Sequence, residues 1–137
     1  MLPVSGHVVM VTIHALAATI WVGGQLTLAA LVPALRRAAP EAPRAAARRF
    51  GTVAWLAYAV LVATGIGNMS SEWAEASPQF RTTLMVKIGV VAASGVAAFV
   101  HGRARTPRGL AVSGALSALT AVLALFLGVV LGVSRTD

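Results

Sequence analysis

Cysteine is absent from the 137 residues, which excludes a disulfide framework, a zinc-thiolate site and a catalytic thiol. Charge is nearly as scarce: 11% of the residues are charged, where a soluble domain carries roughly a quarter. The four acidic residues, Glu41, Glu72, Glu75 and Asp137, fall in loops or at the C-terminus. No carboxylate stands inside an apolar run, so a proton-coupled transporter built on intramembrane acids has no residues to use. Hydrolytic catalysis is equally unsupported, because no Ser, His and acid share a level. A phosphate-cradling glycine loop is missing too. Gly23-Gly24 lies within an apolar run, where close helix packing is the expected reason for small residues. Alternation of period two is absent, which leaves helices as the means of crossing lipid.

What is present is apolar. The hydrophobic fraction is 58% and the mean hydropathy +0.82, which places the chain in the membrane class. An α-helix needs about 20 apolar residues to cross the hydrocarbon. Four runs qualify, at about 8–35, 52–69, 82–100 and 110–133, the third interrupted only by Lys87. The formal net charge of +7 does not point to nucleic acid, since eight of the eleven cationic residues sit in two short segments. Arg36, Arg37, Arg44, Arg48 and Arg49 lie between runs one and two, with Pro40 and Pro43 breaking the helix. Arg103, Arg105 and Arg108 lie between runs three and four, around Pro107. Excess arginine marks cytoplasmic loops. The expectation is an all-α integral membrane four-helix bundle forming one domain, N-out and C-out, with both basic loops cytoplasmic. The 70–81 loop, with Glu72, Trp73, Glu75 and Pro78, then faces outside. No cleavable signal peptide is expected, because the first run is too long for one and no basic residue precedes it.

Polar groups inside a bilayer are costly and usually face the interior of a bundle. On helix one, His7, Met10, His14, Trp21 and Gln25 are spaced three, four, seven and four apart and so form one stripe. Helix two ends in Thr64, Asn68 and Met69. Helix three carries Met85 and the set Lys87, Ser94 and His101, seven apart on one face. At 1.5 Å per residue His14 lies about 9 Å and Lys87 about 8 Å below the outer ends of their runs. His7, Met10, His14, Asn68, Met69, Met85 and Lys87 are therefore expected at one level, near the outer surface. His101 lies about 21 Å further along helix three than Lys87, so His14 and His101 cannot both ligate one haem. Helix four carries Gly128-x-x-x-Gly132 and a row of Ser113, Ser117 and Thr120, which reads as a packing face within the chain or a dimer.

The stretch His14-Ala-Leu-Ala-Ala-Thr-Ile-Trp21-Val-Gly23-Gly24 resembles the first-helix motif of CopD-type copper-resistance membrane proteins. Arg49-Phe50, Thr64-Gly65-x-x-Asn68 and Arg81-Thr-Thr-Leu-Met-Val-Lys87 follow in the order of that family, and the resemblance covers roughly residues 10–103. It corresponds to the C-terminal half of CopD proteins. HemJ-type protoporphyrinogen oxidases share the four-helix plan, with a first-helix His and a helix-three Lys to which haem binding is attributed. The resemblance implies a multi-pass protein of the bacterial cytoplasmic membrane.

Three readings follow. In the first, copper is handled at the extracytoplasmic side by His14, Met10, Met69, Met85 and His7, because imidazole and thioether ligands suit Cu(I). Methionine is also an ordinary apolar filler, and an ammonium at Lys87 would repel the ion. In the second, the chain is a HemJ-like haem b-binding membrane redox protein, an electron-transfer or oxidase module, with His14 as an axial ligand, Lys87 opposite it or on a propionate, and Asn68 nearby. In the third, the chain is a non-catalytic accessory subunit of a larger membrane complex or homo-oligomer, with His14 bonded to Asn68 or a backbone carbonyl and Lys87 snorkelling outward. A lysine inside a span costs roughly 2.5–3.5 kcal/mol and asks for a partner. The copper reading admits one further partner, a periplasmic copper carrier docking on the Trp73 loop. None of the readings requires an enzyme.

Overall fold

A computed structural model describes residues 4–134, apart from the side chain of Glu72; Asp137 lies outside the described residues. The described chain is helical in four pieces: α1 (Gly6–Ala38), α2 (Ala42–Glu72), α3 (Pro78–Arg103) and α4 (Pro107–Val133). Each is long and apolar enough to cross a membrane. The all-α class and the four spans agree with the expectation. The helices overrun the apolar runs, because the basic segments are helical rather than looped. Arg36 and Arg37 form the last turn of α1, where cations suit the negative pole of the helix. Pro43 is the second residue of α2, a position where its missing N–H costs little. The link between α1 and α2 is therefore only 39–41, with Pro40 in the turn.

The other starts follow from Ser/Thr-Pro pairs. Ser77 caps α3, accepting from the Phe80 N–H at 3.2 Å, and Pro78 opens the helix. Thr106 caps α4 through the Gly109 N–H at 3.1 Å, again with proline next. Ser5 does the same for α1 at 3.3 Å. A side-chain cap of this kind is worth about 1 kcal/mol.

The chain divides into two compact units, 1–72 and 73–137. The first is the antiparallel hairpin of α1 and α2, the second that of α3 and α4. In each, one stripe per helix is covered and the remainder of the surface is apolar and open. Leu56 and Leu119 are 68% and 67% exposed, and surfaces of that kind belong in lipid rather than water. Because acyl chains are as apolar as leucine, pairing of such helices depends on close approach and hydrogen bonds.

In the first hairpin the close approaches sit at glycines. The Phe50 ring of α2 occupies the space a side chain at Gly24 of α1 would need. Gly65 faces the His14 imidazole, and Gly67 faces the Met10 sulfur, 2.7 Å from where its Cβ would stand. Between these contacts lies an aromatic group: Trp21, 3% exposed, meets Tyr58 at 4.6 Å and Trp55 at 5.7 Å between ring centroids. Such pairs add about 0.5–1.5 kcal/mol to their burial. Ala17, Ala54, Ala57 and Leu61 complete the seam.

In the second hairpin the seam sets buried serines beside Ala121, Ala124 and Leu131. Ser94 and Ser117 are buried and exchange bonds: Ser94 Oγ donates to the Ser117 carbonyl at 3.2 Å and Ser117 Oγ to the Ser94 carbonyl at 3.4 Å. His101 reaches across to the Leu110 carbonyl, with Nδ1 at 3.0 Å, and its ring lies against Gly114.

The adjacent glycines of α1 give a direct test. Nothing lies within 4 Å of a Cβ added at Gly23, whereas one at Gly24 overlaps Phe50. Gly→Ala at either position gains the same helix propensity, about 1 kcal/mol, so their difference isolates the steric term. Gly24→Ala is expected to unfold about 1–3 kcal/mol more easily than Gly23→Ala in detergent denaturation monitored by circular dichroism. Equal stabilities would contradict the packing.

Candidate functional site

The stripe on α1 and the 87–94–101 face of α3 are each turned toward their own hairpin partner. Met10, His14 and Trp21 meet Gly67, Gly65 and the Trp55–Tyr58 pair of α2. Lys87, Ser94 and His101 meet Gly128, Ser117 and Gly114 of α4. The faces are as the spacing predicts. Apart from the Trp55–Tyr58 pair, what they meet are small residues on the neighbouring helix.

His14 is the best-defined of the expected site residues. Its Nδ1 stands 2.8 Å from Thr64 Oγ1. The Thr64 hydroxyl also lies 2.7 Å from the Val60 carbonyl and 3.2 Å from that of Leu61, one turn back on its own helix. A hydroxyl has one proton. With that proton directed at the Val60 carbonyl, Thr64 accepts from His14, and the neutral imidazole is the Nδ1–H tautomer. Nε2 is then the lone-pair nitrogen. A histidine oriented by a bond from its other nitrogen is the usual arrangement in metal sites, and it serves equally to hold a helix pair.

Met10 lies one helical turn from His14 on the same face, so their Cβ atoms are about 5–6 Å apart. Met69 stands four residues beyond Gly65 on α2 and shares that face; it is half-buried. Met10, His14 and Met69 thus gather at the end of the hairpin remote from the arginines. Asn68 is on the Thr64 face, four residues on, and its side-chain carbonyl is buried with no hydrogen-bond partner among the described residues. His7 is exposed in the first turn of α1.

In the second hairpin the expected residues separate. Met85 and Lys87 are two residues apart, about 200° around the helix. Met85 is 45% exposed, whereas Lys87 is half-buried with its ammonium 3.2 Å from the place of a Gly128 Cβ. Gly128 therefore makes room for Lys87, and Gly132, the other end of the small-residue motif, has nothing within 4 Å. No group of three or more His, Cys, Asp or Glu suited to a metal occurs among the described residues.

Thr64 is the His14 partner that sequence reasoning passes over: it points instead to Asn68 or a backbone carbonyl. The available signal was Thr64-Gly65-x-Gly67, since glycines inside a helix mark close approach of another element. Replacing Thr64 by Val removes the acceptor while keeping the shape. Nitrogen NMR of the labelled protein is expected to show His14 as the Nδ1–H tautomer, and Thr64→Val to shift it to a mixture, with Thr64→Ser preserving it. An Nε2–H imidazole in the unaltered protein would reverse the assignment.

Comparison with family models, with curated proteins and with solved structures found no match to the chain.

Proposed function

We propose that the chain handles copper as cargo in a membrane, taking Cu(I) at the Met10–His14–Met69 end of the first hairpin. The observation that supports this reading is the Thr64–His14 hydrogen bond, which directs the lone pair to Nε2 one turn from a thioether. Soft nitrogen and sulfur donors at low coordination number match Cu(I) better than harder divalent ions. In this reading the arginine-bearing helix ends face the cytoplasm, following the charge bias of membrane loops. The site then opens on the opposite side, in a bacterial cytoplasmic membrane, where a soluble copper carrier has access. His7 is an outer contributor at most, since it is exposed on its helix.

The haem b reading uses the same tautomer, because an axial histidine also needs an oriented Nε2. Within the hairpin, however, the imidazole rests on Gly65, with Cε1 3.4 Å from the place of its Cβ. A single ion fits beside that contact more readily than a macrocycle.

The test is Cu(I) binding by the full chain in mild detergent, measured under reducing conditions against a chromogenic chelator. One copper per chain is expected. His14→Ala is expected to abolish binding, Thr64→Val to weaken it about 10–100-fold as loss of an orienting partner does, and His101→Ala to leave it unchanged. A Soret band without stoichiometric copper would replace this reading with the haem one. Neither signal would leave the accessory role.

A further inference from the structure

We propose that the arginine-bearing end of the first hairpin binds the phosphates of an anionic phospholipid headgroup. This does not depend on the copper reading; it needs only that the helices span a membrane. Residues 36–49 hold Arg36, Arg37, Arg44, Arg48 and Arg49 against a single acid, Glu41. All five arginines are exposed, and no ion pair involves them among the described residues. Arg37 folds back, donating from Nε to the Pro33 carbonyl at 3.2 Å. The others have no such tether.

The α2 part of this cluster is electrostatically unfavourable without a counter-ion. Arg44 and Arg48 are four apart on α2, a spacing at which like charges repel. They also sit near the start of α2, where Glu41, just before the helix, is the one acid and the first turn itself contains none, and that end of a helix carries the positive pole. An anion placed there answers the side chains and the helix end together. The planar guanidinium fork matches phosphate oxygens two at a time.

Position selects the source of the phosphate. Phe50, Val53 and Leu56 follow immediately on α2, and Val53 and Leu56 are exposed as lipid-facing residues are. The arginines therefore stand at the level of the headgroups. Clusters of four or more cations flanking a span are the usual mark of anionic-lipid contact. The second basic end is built differently. There Arg103 lies over the Phe99 ring, its guanidinium carbon 3.6 Å from the centroid, and only Arg105 and Arg108 remain. That end serves as the control.

The experiment is native mass spectrometry of the full chain in detergent, titrated with cardiolipin or with phosphatidylcholine of matched acyl chains. The unaltered protein is expected to prefer cardiolipin at least roughly tenfold. R44Q/R48Q/R49Q is expected to abolish that preference at unchanged helicity by circular dichroism, and R103Q/R105Q/R108Q to retain most of it. Binding by the unaltered chain should also weaken as salt is raised, a readout that needs no variant to fold. Equal affinity for the two lipids, a salt-independent affinity, or an equal loss in both triple variants would overturn the proposal. So would displacement of cardiolipin by inorganic phosphate at comparable concentration, which would make a free anion the ligand.

Discussion

Helices surrounded by acyl chains gain little from turning one apolar face rather than another toward a neighbour, so pairing must come from proximity and hydrogen bonding. Each hairpin meets that constraint by setting a larger or polar residue against a small one. Phe50, His14 and Met10 face Gly24, Gly65 and Gly67 in the first hairpin; His101 and Lys87 face Gly114 and Gly128 in the second. Between the latter two, the serines at 94 and 117 exchange hydrogen bonds through their partner's backbone. Hydrogen bonds between membrane helices average about 0.6 kcal/mol. No one contact is decisive, and their repetition along the seam sets the register.

The same constraint ties the His14 imidazole to the seam. The His14 imidazole contributes to the hairpin through Nδ1 and Thr64, and that bond sets the orientation of the ring. Thr64 in turn is held by carbonyls of its own helix. An orienting residue and a packing residue are one side chain here. Lys87 shows the opposite outcome: its stem crosses α4 at Gly128, so a cation that attracts attention in the sequence is accommodated by a missing side chain opposite.

Much of this was legible beforehand. Hydropathy located the four spans, and seven-residue spacing identified the correct faces of α1 and α3. The basic segments were legible as charge but not as shape. Pro40 and Pro43 both look like breakers in the sequence, whereas only Pro40 lies in the turn and Pro43 sits in the first turn of α2, leaving a very short link. Ser77-Pro78 and Thr106-Pro107 carried that information as cap-and-start pairs. The His14 partner was not legible, because Thr64 and Asn68 lie one turn apart on the same face of α2 and spacing alone cannot choose between them.

Composition and periodicity determined that the chain is helical, that it belongs in lipid, and which stripe of α1 and of α3 is covered. These are properties of one helix at a time, set by the number of apolar residues and by 3.6 residues per turn. Tertiary structure decided what covers each stripe. A glycine opposite histidine, a threonine hydroxyl committed to its own helix, and two serines in register depend on how far one helix slides along another. That displacement is fixed by contacts between residues tens of positions apart, which no local pattern records.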